Sequence, residues 1–178
     1  EVVKEKGYKT AYIGKWHLDG QGRSAFIPRG GRRQGFDYWK VLECTHDYNN
    51  SLYYADTPDT LVWEGYDAFA QTRDASQYIK NHAKTEEPFL LFLSWGSPHD
   101  PYHTAPEEYR EMYSSDSISL RPNVPDDHKK RARNQIAGYY SHCTALDEMV
   151  GELRKTIIES GIEQETIILF FSDHGDML

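Results

Sequence analysis

Cysteine is scarce in this chain: two in 178 residues, Cys44 and Cys143, neither in a Cys-x-x-Cys pattern. A thiolate zinc site is therefore not supported, and two cysteines do not decide the redox compartment. Long apolar runs are missing too. No stretch approaches the roughly 18 residues that a membrane helix needs. No secretory leader, internal repeat or low-complexity tract is readable. Positive charge is in the minority, with 20 Lys and Arg against 28 Asp and Glu, a net charge of −8. That balance argues against nucleic acid as the general partner. What is present is a modest apolar fraction and many tyrosines, enough for one soluble domain with a real core. Both ends read as cut. Glu1 to Lys6 looks like the tail of a helix closed by Gly7, and Leu178 follows directly on a polar turn.

Three segments share one grammar. Tyr8 to Ile13 reads as a short strand and is followed by Gly14-Lys15-Trp16-His17. Phe89 to Leu93 is a continuous apolar run, followed by Ser97-Pro98-His99-Asp100-Pro101. Ile167 to Phe171 is another, followed by Ser172-Asp173-His174-Gly175-Asp176. Runs without polar alternation suit strands buried on both faces of a parallel sheet. Helical stretches separate them. One spans about Asp67 to Ala83, with Phe69, Tyr78 and Ile79 as core contacts. The other spans about Arg131 to Ser160, where Ile136, Tyr140, Cys143, Leu146, Val150, Leu153 and Ile157 make one face. On that reading Cys143 is a small core residue. Gly161 supplies the stop. Helix before strand, repeated, predicts an α/β fold. Residues 18–65 lack periodicity and read as long loops with short strands, the kind of loop that often carries function.

In an open parallel sheet, ligands bind beyond the carboxyl ends of the strands. If the three runs are parallel, Lys15, His17, His99, Asp173 and His174 converge on one edge. Lys15 and His17 offer a fixed charge and a titratable donor, which suits an anion. His99 sits between two prolines, and a stiff loop can hold a general acid in place. Asp173, His174 and Asp176 are potential metal ligands. The carboxylates favour calcium or magnesium, the histidine zinc or another transition metal. Taken singly, each turn also reads as plain structure: a surface turn with one buried Trp, a rigid loop, a turn or helix cap. Three in the same topological place read as a site. His46 and His103 lie where they could touch substrate, His82 and His128 read as solvated, and His142 reads as packing. Between Asp19 and Lys40 the arginines Arg23, Arg29, Arg32 and Arg33 make a locally basic loop that can receive an anion or simply be solvated.

At these residues the chain resembles the sulfatase family of the alkaline-phosphatase-like superfamily. Gly14-Lys15-Trp16-His17-Leu18 is similar to the second sulfatase signature. Ser97 to Tyr102 with Ala105-Pro106 resembles the family's Pro-His loop, and Phe171 to Asp176 its metal-binding turn. Gln34 to Trp39, Tyr139-Tyr140 and Leu146-Asp147 fall in the family's order, so the resemblance covers nearly the whole chain.

The resemblance implies part of a three-layer α/β sandwich with a mostly parallel central sheet. Residues 1–178 would be a piece of the catalytic domain truncated at both ends, with 18–65 as its substrate-side loop region. It implies a sulfuric ester hydrolase acting on a sulfated carbohydrate or other sulfate ester, with a formylglycine whose hydrate attacks sulfur. Lys15 would bind the sulfate and the formylglycine hydroxyl. His17 would serve the hydrate as base, and His99 would bind sulfate and protonate the leaving oxygen. Asp173 and His174 would supply half of a divalent-metal site, usually calcium in the family, although many members carry Asn where His174 stands. Arg32, Arg33 and His103 are the further candidates for substrate contact. A periplasmic, secreted or lysosome-like location would follow from the family alone, and oligomeric state is not readable.

The Cys/Ser-x-Pro-x-Arg signature that matures to formylglycine is missing, since Cys44 is followed by Thr45-His46-Asp47. The family's amino-terminal aspartate pair and its later lysine are missing as well. These are expected outside the segment, so the segment alone is expected to have no turnover. Two other readings compete: a phosphonate or phosphodiester hydrolase of the same superfamily, and a truncated, non-catalytic binding protein.

Overall fold

The structure, a computed structural model, describes residues 1–177. A short helix α1 (Val2–Glu5) leads into strand β1 (Lys9–Lys15), and β2 (Tyr38–Leu42) follows. A small hairpin, β3 (Leu52–Tyr53) and β4 (Leu61–Val62), precedes helix α2 (Asp67–His82) and strand β5 (Phe89–Ser94). Helices α3 (Glu107–Arg110) and α4 (Lys129–Glu159) complete the order. The main sheet has the order β2-β1-β5, and both pairings are parallel. The carboxyl ends of all three strands therefore lie on one edge.

β1 is the central strand, and its alternation sorts the core into two faces. Ile13 packs with Trp63, Ala70 and Ala75 on the α2 side. Tyr12 turns to the other face, where it joins Trp16, Ile27, Trp39 and Val41. Trp16 meets Tyr12 and Trp39 edge to face, with ring centroids 4.8 and 5.0 Å apart. Such pairs add about 0.5–1.5 kcal/mol each beyond the area they bury. Among the described residues, helices α2 and α4 cover one face, and the loop carrying Ile27 and Phe36 covers part of the other. Gly14 is fixed by close approach. Its φ is +105°, and a Cβ there would fall 2.1 Å from the Ser94 carbonyl oxygen.

Several expectations need correction. Ile167 to Phe171 does not join the sheet: among the described residues no strand is assigned there, and Ile167 and Leu169 are 87% and 80% exposed. An apolar run becomes a strand only where a neighbour completes its backbone ladder, and none of the described residues pairs with it. β5 is half-buried rather than covered on both faces. Residues 18–65 are long loops with short strands, as expected, and one of these strands, β2, pairs with β1 in the main sheet. Its sequence, Tyr-Trp-Lys-Val-Leu, carries no long apolar run and hides its strand character. On α4 the buried face is Ala137, Ser141, His142, Ala145 and Met149 together with Leu146, while Tyr140 is exposed and Cys143 only half-buried. Small residues let α4 pack closely against α2, and hydropathy alone ranks them below Tyr.

Candidate active site

β1 carries Lys15 as its last residue, and Trp16 turns inward at 5% exposure. That buried indole pins the turn, leaving Lys15 half-buried and His17 exposed on either side. His17 adopts φ 53°, an uncommon left-handed conformation, and its N–H donates to the Glu43 carbonyl at 2.9 Å. The Glu43 side chain, itself 3% exposed, then accepts from the backbone N–H of Asp19 and Gly20 at 2.8 Å each. Glu43 is thus the residue that shapes the His17 turn. Sequence reasoning missed it, because a lone Glu after a polar-looking strand carries no signal.

The loop after β2 brings a third element to the same edge. His46 stacks on His99, ring centroids 5.0 Å apart and 24° between planes. Desolvation lowers the His46 imidazole from its usual pKa, and the positive neighbours His99, Arg23 and Lys15 add to that shift. A lysine and an arginine near two imidazoles make this edge locally electropositive. An anion placed there is stabilised.

His99 sits on the loop that follows β5, and that loop is tied from several sides. Tyr48 donates from its hydroxyl to the carbonyls of Gly96 and Asp100, at 3.1 and 3.3 Å. Asn49 Nδ2 donates to the Thr104 carbonyl at 2.9 Å. Both Ser97-Pro98 and Asp100-Pro101 are cis. The acidic turn reaches the same loop without any strand to carry it. The Tyr102 hydroxyl donates to Asp176, and the rings of His99 and His174 are 6.4 Å apart. The structure therefore gathers Lys15, His46, His99 and the 173–176 turn, with His17 on the turn that leaves the same strand end.

Asp173 and His174 have the donor types of a divalent-cation site, but their side chains are 80% and 62% exposed. Among the described residues no three His, Cys, Asp or Glu side chains gather around one point. The pair alone does not make a site.

The basic loop divides. Arg33 is 1% exposed, and its guanidinium donates to the Ile27 and Ala55 carbonyls and to Asp56, while lying 5.1 Å over the Trp39 ring. With its donors engaged in the interior, Arg33 cannot grip substrate, which corrects the sequence expectation. Arg32 is exposed and paired with Asp19, Nε to Oδ1 at 2.7 Å, and this partner holds the Asp19 carboxyl below the usual range. Arg29 is likewise paired, with Asp56. His103 is exposed on the short turn Tyr102–Thr104.

Behind Lys15 lies a small cavity of about 10 Å³, whose lining includes Gly14, Lys15, Ser51, Trp63, Asp67 and Gln71. That is room for one water. Asp67 Oδ1 and Gln71 Oε1 are buried there without a protein partner. Burial pushes the Asp67 carboxyl up to about 7, against weaker opposing hydrogen bonds from Ser51 and the Ala68 backbone.

A parallel sheet whose carboxyl edge brings a lysine, an arginine and imidazoles together has the composition that suits an anionic group. The sulfatase family model matches residues 1–178, and the chain belongs to that family, with its alkaline-phosphatase-like fold. The chain is 49% identical to an ulvan-active sulfatase of Formosa agariphila, over all of this chain and 35% of that protein. It is 27% identical to an endo-4-O-sulfatase of Bacteroides thetaiotaomicron, over all of this chain and 40% of that protein. A solved sulfatase-family structure from Bacteroides fragilis superposes with a TM-score of 0.81 at 26% identity, covering 91% of this chain and 40% of the other. The chain thus spans little more than a third of the length of these relatives.

Proposed function

We propose that the protein to which this chain belongs hydrolyses sulfate esters of a carbohydrate, and that Lys15, His17 and His99 carry this segment's share of the chemistry. The observation that supports it is the edge at the carboxyl ends of parallel strands where His46 and His99 stack beside the Lys15 end of β1. Sulfate spreads its negative charge over several oxygens, and fixed positive groups in a preorganised site stabilise the charge that develops as the ester bond breaks. Lys15 neutralises the sulfate. His99, on its tethered loop, donates a proton to the departing sugar oxygen, and His17 accepts one on the opposite side. A formylglycine hydrate, when present, supplies the nucleophile. Asp173 and His174 would furnish part of the ligand set for a divalent cation, calcium by family resemblance.

The loops of residues 18–65 border this edge. Arg32 and His103, both exposed, are the side chains we assign to further sulfate or hydroxyl groups of a polymer. The 49% identical relative acts on ulvan, which makes a sulfated algal polysaccharide the substrate class to test first. Such a polymer does not cross a membrane, so the enzyme would work outside the cytoplasm, in the periplasm or medium.

The test is full-length expression with formylglycine maturation, followed by turnover of sulfated oligosaccharides and matched phosphate esters. Sulfate release from ulvan fragments, lost by about 10²-fold or more in Lys15→Ala and His99→Ala, is the expected result. Faster phosphodiester than sulfate turnover would assign the site to the phosphodiesterase branch. Tight glycan binding with no turnover would make the protein a binding module.

A further inference from the structure

His142 lies in the interior of α4, and none of the chemistry above uses it. It is 0% exposed, yet both ring nitrogens are engaged. Nδ1 is 2.6 Å from the Tyr66 hydroxyl. Nε2 is 3.4 Å from the Pro101 carbonyl and 3.4 Å from Thr104 Oγ1. The proton inventory fixes the tautomer. The Pro101 carbonyl can only accept, and the Thr104 hydroxyl already donates to it at 2.6 Å. Nε2 must therefore carry the hydrogen, and Nδ1 must accept from Tyr66. The ring is also packed edge-on against Tyr48, the residue that donates to Gly96 and Asp100.

We infer that His142, as the neutral Nε2–H tautomer, is a positioning residue for His99: with Tyr66 behind it, it holds the Pro101–Thr104 end of the loop that presents His99. This inference rests on the assignment of His99 as the proton donor. Burial supports it by pushing the His142 imidazole down to about 4, helped by the nearby His103, so the ring stays neutral through the working pH range. A buried leucine would fill much of the same space. It would leave the Tyr66 hydroxyl without its acceptor and the Pro101 carbonyl with only its local bond from Thr104, so the loop would lose its hydrogen-bonded tie to α4. Displacing a catalytic group by about 1 Å can cost about 10²-fold in rate.

The test uses the full-length protein. Nitrogen-15 NMR of the histidine rings should show His142 as the neutral Nε2–H form at neutral pH. An Nδ1–H tautomer or a charged ring there overturns the inference. His142→Leu should lower kcat by about 10- to 100-fold with KM nearly unchanged, and His142→Gln, which restores a donor and an acceptor, should recover most of it. A folded His142→Leu enzyme with wild-type kcat overturns it as well. If His142→Leu does not fold, Tyr66→Phe takes its place, and there too unchanged kcat counts against the inference. Hydrogen exchange in residues 97–104 separates the two claims. If the full-length protein releases no sulfate but exchange in this loop rises in His142→Leu, the positioning role survives and the function assigned above fails.

Discussion

Arg32 and Arg33 are adjacent in sequence and opposite in consequence. Arg33→Met removes a buried guanidinium and strands the Ile27 and Ala55 carbonyls. Breaking such a network by removing one partner costs about 3–5 kcal/mol, so the melting temperature should drop sharply. Arg32→Ala removes a half-exposed guanidinium from its Asp19 partner and should lower the melting temperature far less than Arg33→Met. Its expected effect is a higher KM for a polymeric sulfated substrate, with a small monosulfated ester unaffected. Asp67 gives a pH test. Its folded pKa, about 7, lies above the unfolded carboxylate value, so the folded state holds the proton more tightly. The stabilising contribution is complete below about pH 4 and is lost as pH rises through about 7. Asp67→Asn cannot ionise. Its melting temperature relative to wild type should therefore climb between about pH 4 and about pH 8, and a constant difference would show that the carboxyl is not held as described.

At the scale of elements, α4 contains two interior glycines that an alanine would treat in opposite ways. A Cβ on Gly138 would sit 2.5 Å from the Tyr102 carbonyl oxygen, whereas a Cβ on Gly151 meets nothing within 4 Å. Alanine in a helix interior is favoured over glycine by about 1 kcal/mol. Gly151→Ala should therefore raise stability by roughly that amount. Gly138→Ala gains the same helix propensity but must push the 101–104 turn off α4, and backbone overlap outweighs one propensity increment. Lower stability and a lower kcat are expected from thermal melts and steady-state kinetics. The contact also explains how a loop after β5 comes to rest on a helix more than thirty residues later. The glycine opens a notch, and His142, one turn further along α4, closes the contact with hydrogen bonds.

For the whole molecule, a net charge of −8 coexists with a local grouping of Lys15, Arg23, His46 and His99 near one sheet edge. The metal role proposed for Asp173 and His174 makes a prediction for the full-length protein. Calcium should raise its melting temperature, a ligand at a hundredfold its Kd contributing about 2.7 kcal/mol. Chelation should reverse the shift, and Asp173→Ala should remove it. A melt that ignores calcium in the intact enzyme would assign the 173–176 turn another role.

Residue chemistry and local period were legible without coordinates. The Gly-Lys-Trp-His and Pro-His-Asp-Pro turns were recognisable as polar turns directly after apolar runs, the second stiffened by its prolines. Strands β1 and β5 and helices α2 and α4 followed from apolar run length and spacing, signals that act within a few residues. Only the fold decided the rest, because burial and proton sharing depend on residues far apart in the chain. Arg33 became interior when Trp39 and Asp56 closed around it, and Glu43 became a turn-former when β2 lay beside β1. The Ile167 to Phe171 run was apolar enough for a strand but found no ladder among the described residues. His142 acquired a defined tautomer once Tyr66 and Pro101, 76 and 41 positions away, met its two nitrogens.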